Sequence, residues 1–157
     1  MTREPFLVCL LILLVSLGSA APAWSASSQE REIESLVNQA AALIEQEGPS
    51  ALAQFSQPGG RWLGGPHALF IFDEQGNELV NPTFPELVGK NLWDHRDSSG
   101  RYTAREELAL VKAQGSGWLD GAWAKPGHGP EAKTRNFVKG ARMGPTLVVV
   151  GSWYYVD

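Results

Sequence analysis

The sequence predicts an α+β domain, with one long N-terminal helix packed on a central antiparallel sheet. Three observations carry this. Ile33, Leu36, Val37, Ala40, Leu43 and Ile44 recur at helical spacing. The apolar run Ala68–Phe72 is followed by the turn Asp73–Asn77 and a second strand-like run, Glu78–Asn81. In the second half three strand-like runs follow one another with short Gly-Pro turns between them, and successive strands on short turns pair antiparallel.

Taken in order, residues 1–26 read as a cleaved signal peptide. Arg3 supplies a short basic start, and Phe6–Leu17 is almost wholly apolar. Gly18, Ser19, Ala20, Ala21 and Ala23 supply small residues, and cleavage after Ala23 satisfies A-x-A; Ala20 and Ala26 also fit. The alternative is an uncleaved anchor, but the run is shorter than the ~20 apolar residues of a spanning helix. The expectation is a periplasmic or secreted protein whose mature domain is residues 27–157. Cys9, the single cysteine, falls in the export segment, so the mature chain has no disulfide and no thiolate metal site.

Ser27 and Glu30 form the S-x-x-E capping box of a helix over about 28–47, which Gly48-Pro49 stops. A further helical turn fits Pro49–Phe55. Gln57–Gly60 and Gly64–Pro66 are loop. After the hairpin, Pro82 and Pro85 break the ladder, since proline cannot donate to it. Residues 86–101 form an irregular connection. Thr103–Ala113 is helical, with Leu108, Val111 and Lys112 on one face and Gly115 at its end. Strands follow at Trp118–Lys125, Lys133–Gly140 and Thr146–Tyr155.

Composition and motifs narrow the function. The 157 residues carry a net charge of −4 with no polybasic run, which argues against nucleic-acid and anionic-membrane partners. Gly115-Ser116-Gly117 and Gly151-Ser152-Trp153 both fall short of G-x-S-x-G. His67, His95 and His128 are far apart, and Asp94, Asp97 and Gly100 lack calcium-loop spacing, so a solvated turn is expected there. No metal, no cofactor and no enzymatic activity are expected.

The six tryptophans are the unusual feature. Each fills core volume or walls a pocket; the sequence leaves both open. Trp118 and Trp123 are an odd number of positions apart, so a regular strand would face them to opposite sides. A bulge at Gly121 would bring them together. Lys133 is either a solvated edge residue or a positive charge for a ligand, and Asn81 either a turn former or a ligand contact.

The spaced series Phe70-x-Phe72-Asp73-x-x-Gly76-x-x-x-x-Asn81-Pro82, Leu87–Asp94, Asp97-x-x-Gly100, Gly117-Trp118, Trp123-x-Lys125-Pro126-Gly127, Lys133-x-x-x-Phe137-Val138-Lys139 and Gly151-x-Trp153-Tyr154 resembles the single Cache domain of the second type. This is an extracellular sensor domain of bacterial chemoreceptors and histidine kinases, and the resemblance covers about residues 28–157. It implies a PAS-like fold with a ligand pocket on the sheet face opposite the long helix. It also implies a small organic ligand, typically a short carboxylate. On that analogy Lys133 faces the carboxylate, Trp93, Trp118 and Trp123 line the cavity, and Phe70, Asn81 and Phe137 complete it. The chain departs from the family's pattern in having Asn81 before Pro82 where histidine is frequent, and Phe137 where tyrosine is frequent.

The resulting expectation is a free-standing periplasmic binding and chemosensing module without a signalling output of its own, serving a separate membrane receptor. The alternative is a ligand-free Cache-fold partner of an envelope protein, with the N-terminal helix as its interface or as the seam of a homodimer.

Overall fold

The computed structural model describes residues 26–63, 65–127 and 129–156. The signal-peptide reading rests on residues outside these, as does His128. Three α-helices, α1 (Ser28–Glu47), α2 (Leu52–Phe55) and α3 (Thr103–Gln114), accompany five strands. The strands are β1 (Leu69–Asp73), β2 (Glu78–Val80), β3 (Ser116–Ala124), β4 (Glu131–Met143) and β5 (Thr146–Tyr155).

The capping box opens α1 as the sequence predicts. The Glu30 backbone N–H donates to Ser27 Oγ at 3.1 Å, and the Ser27 N–H to the Glu30 carboxylate at 2.9 Å. Such a cap contributes about 1 kcal/mol. Gly48, at φ 64°, returns its N–H to the Ile44 carbonyl and ends the helix. The stripe Ile33, Val37, Ala40, Ala41 and Ile44 is fully buried, with Leu36 and Leu43 half-buried beside it.

All strand pairs are antiparallel, in the order β2-β1-β5-β4-β3. The strand expected over Lys133–Gly140 is longer because its ladder continues at both ends, to Glu131 opposite Ala124 and to Met143 opposite Thr146. A two-residue turn, Gly144-Pro145, joins it to β5.

The pleat sorts side chains into two layers. Leu69, Ile71, Phe137, Ala141, Val148 and Val150 face α1, where Phe55 and Trp62 complete the cluster. Phe70, Phe72, Val138 and Val149 face the other way and meet Ala104, Leu108 and Val111 of α3. The expected face of α3 needs one correction. Lys112 points to solvent, and Glu107 occupies the buried stripe one turn from Ala104 and Val111. The two layers of core lie on either side of the sheet. No helix among the described residues is long and apolar enough to cross a membrane.

Candidate functional site

The layer away from α1 is not fully packed. A cavity of about 50 Å3 lies between the sheet, the N-terminal turn of α3 and the connection before it. A water needs ~10–15 Å3 on this measure, so the space suits a molecule of about four or five non-hydrogen atoms. Phe70, Phe72, Leu92, Trp123 and Trp153 make its apolar wall, and Glu78, Asn81, Thr103, Glu107 and Asn136 bring polar groups to it. Among the described residues that line it, none is lysine, arginine or histidine.

Each polar group has a local reason for its direction. Ile71 pairs with Val80 but Phe72 with Glu78, so Leu79 is an extra residue on β2. This bulge turns Glu78 to the cavity while Val80 still packs under α1. Asn81 then spans the start of the proline turn. Its Nδ2 donates to Glu78 Oε1 at 2.9 Å, and its Oδ1 accepts the Phe84 N–H at 3.0 Å. Turn former and cavity residue are thus the same side chain. The turn places Phe84 against Trp123 and Trp153, with ring centroids 6.1 and 6.4 Å away.

Across the cavity, Asn136 on β4 donates from Nδ2 to Glu107 Oε1 at 2.9 Å, and its Oδ1 is buried without a hydrogen-bond partner. Burial pushes the Glu78 carboxyl up to about 8; the Asn81 bond opposes this, and the nearby Glu107 charge adds to it. Burial likewise raises Glu107 to about 7, against the Asn136 bond. Both carboxyls therefore hold protons close to neutral pH.

Asp97 braces the floor of the connection. Its Oδ1 accepts from the N–H groups of Ser99 and Arg101, each at 2.9 Å, and its Oδ2 from the Ala122 N–H at 3.2 Å. Burial raises this carboxyl, but the hydrogen bonds outweigh it and hold it below its ordinary value. The turn expected to be solvated is therefore anchored by a buried aspartate. Among the described residues no cluster of three or more His, Cys, Asp or Glu could hold a metal.

The residues singled out in the sequence divide by face. Phe70, Asn81 and Trp123 line the cavity. Trp93 packs at the edge of the same layer, under the Arg105 guanidinium at 5.3 Å from its ring, without lining the cavity. Trp118 and Phe137 stand on the opposite face against α1, where Trp118 Nε1 donates to Glu34 at 2.7 Å. The β3–β4 register runs unbroken from Ser116 to Ala124, so no bulge at Gly121 rotates Trp118 towards Trp123. Lys133 has the parity of Arg135 and Phe137 and is exposed, so it does not reach the cavity. Glu78, Glu107, Asn136 and Trp153 also line the cavity and are not among the residues singled out in the sequence. The legible signals were a glutamate inside the apolar stripe of α3 and a polar residue at an inward position of a central strand. The bulge that aims Glu78 leaves no mark in the residue pattern.

A five-strand antiparallel sheet with a long helix on one face and a small cavity on the other is the arrangement of a PAS-like sensor domain. Residues 27–157 match the sequence profile described as Cache domain, and the chain belongs to that family. This is a sensory, ligand-binding family. Among solved structures, the chain is similar to the periplasmic sensor domain of a chemotaxis protein. The two share 27% identity with TM-score 0.68, over 82% of this chain and 96% of that one. A Cache chemosensory domain studied for carboxylic acid recognition shares 24% identity with TM-score 0.67, over 82% and 94%. A methyl-accepting chemotaxis protein from Vibrio parahaemolyticus RIMD 2210633 shares 20% with TM-score 0.65, over 82% and 89%. The last two likenesses bear on the fold alone.

Proposed function

We propose that this Cache domain is an extracytoplasmic sensing module that binds one small molecule in the cavity between the sheet and α3, and that residues 1–26 direct its export. One observation carries the reading: four buried polar side chains, Glu78, Asn81, Glu107 and Asn136, converge on an otherwise apolar cavity. Buried polar groups cost stability unless they are satisfied. They bond to one another, except that Asn136 Oδ1 is left without a partner, and a ligand in the cavity can supply one.

A short carboxylate, the ligand class expected from the resemblance, gains no counter-charge from the wall. Such an anion would have to take its hydrogen bonds from the protonated forms of Glu78 and Glu107.

Ligand-induced stabilisation of residues 27–157 tests the site. A compound at a hundredfold excess over its Kd adds about 2.7 kcal/mol, which moves the Tm by several degrees. Trp123→Ala, which removes one wall, is expected to abolish that shift. Lys133→Ala is expected to leave it unchanged. A shift that survives Trp123→Ala and disappears with Lys133→Ala would place the ligand outside the cavity.

A further inference from the structure

The polar groups at the cavity include carboxyls and amides but, among the described residues, no fixed positive charge. Asn81 uses both ends of its amide, one on Glu78 and the other on the Phe84 N–H. Asn136 donates one of its two amide N–H groups to Glu107, and its Oδ1, in a residue only 9% exposed, accepts from nothing. Each amide nitrogen thus meets a carboxyl, and the buried cavity atom left without a partner is a carbonyl oxygen, that of Asn136, beside the two carboxyls. Around these oxygens stand the rings of Phe70, Phe72, Trp123 and Trp153. The outer approach has the same character. A groove that shares Leu92 and Trp123 with the cavity is lined by Glu86, Glu131 and His95, with no lysine or arginine in its wall among the described residues.

Carboxyl oxygens that gain negative charge on ionisation, beside an unpartnered carbonyl oxygen and inside an aromatic box, are complementary to a small cation. An ammonium group offers three N–H donors and no acceptor, and aromatic faces attract it further. We propose that the ligand of this cavity is a small primary ammonium compound of about four or five non-hydrogen atoms, its nitrogen held by Asn136 Oδ1 and the Glu78 and Glu107 carboxyls. This rests on the cavity-binding reading above and names its ligand class.

Binding of that kind is linked to protons. The two carboxyls reach the cavity from β2 and from α3, and the Glu107 charge raises Glu78. Glu107 also feels Glu106, which raises it, and Arg101, which lowers it. The neighbouring elements otherwise present Asn136 from β4, Trp123 from β3 and Trp153 from β5 to the space, and His95 stands against Trp123, with ring centroids 5.1 Å apart. A bound positive charge favours the ionised carboxyls, so an ammonium ligand binds more tightly as the pH rises. A carboxylate ligand would need the protonated carboxyls and would bind more tightly as the pH falls.

The sign of that pH dependence is the test. Residues 27–157 are titrated by calorimetry, in amine-free buffers at about pH 6 and about pH 8.5, with n-propylammonium, propionate and propionamide. The expected result is binding of n-propylammonium, tighter by about tenfold at the higher pH, with a loss of about tenfold or more in the isosteric variants Glu78→Gln and Glu107→Gln. Binding of propionate or propionamide without n-propylammonium overturns the cation and leaves the cavity-binding reading standing. An ammonium whose affinity rises as the pH falls also overturns the carboxyl assignment. Absence of binding by all three, and by a panel of amino acids and amines, overturns both readings.

Discussion

Gly151→Ala is expected to lower the stability of the domain by about 2 kcal/mol and to abolish ligand binding in the same step. Gly151 lies directly opposite Phe70 across the β5–β1 ladder, and the Phe70 ring covers its backbone. A methyl group at position 151 would come within 2.1 Å of Phe70 Cζ and 2.6 and 2.7 Å of its two Cε atoms. The ring cannot yield sideways, because Phe72 stacks on it at 6.2 Å and Trp153 flanks it at 5.7 Å. The open direction is the cavity, whose wall Phe70 already forms. Urea denaturation measures the first effect and a ligand titration the second. Adding Phe70→Leu to Gly151→Ala removes the clash and is expected to recover part of the lost stability. Wild-type stability in Gly151→Ala would mean that the ring does not rest on the strand.

Stability is expected to fall as the pH rises from about 6.5 to about 8, with the Tm dropping by about 5 °C per pH unit. The folded chain holds protons on Glu78 up to about 8 and on Glu107 up to about 7, well above the ordinary 4.5 of the unfolded chain. In that interval the native state binds more protons than the unfolded one. The stabilisation is complete below the unfolded value and is lost as the pH climbs through the folded one. Other shifted groups act elsewhere. Hydrogen bonds hold Glu30 and Asp97 below their ordinary values, so their contribution is lost only in acid. Burial lowers His67 from 6.5, which adds stability as the pH rises towards that value and opposes the carboxyls there. Above about pH 6.5 the carboxyls act alone among these groups. Melting curves followed by circular dichroism check this, and the double variant Glu78→Gln, Glu107→Gln should flatten the profile. A Tm that is level or rises over this interval would mean that the two carboxyls are ionised in the folded protein.

The fold was legible because its signals are local. The capping box at Ser27, the apolar spacing from Ile33 to Ile44, the hairpin turn at Asp73–Asn77 and the Gly-Pro turns each act over a few residues. The site was only partly legible because its composition depends on which face a strand residue takes. Of the residues singled out in the sequence, Phe70, Asn81 and Trp123 line the cavity, whereas Trp118, Phe137 and Lys133 share the parity that faces α1. Strand parity on β4 separates Lys133 from Asn136, but the parity becomes readable only once Phe137 is known to pack under the helix. Glu78 is a different case. Its direction depends on the extra residue Leu79, and such a bulge is fixed by pairing with β1, a partner that the residues of β2 do not specify. Glu107 is legible only as a glutamate at a position of the α3 apolar stripe, with Ala104, Leu108 and Val111.

The most direct test of the central claim is a crystal structure of residues 27–157 grown with whichever compound raises the Tm most. The account predicts electron density for that compound between Trp123, Trp153, Glu107 and Asn136, on the sheet face away from α1. Density instead on the α1 face, beside Lys133 or in the groove between α1 and Arg61, would contradict it.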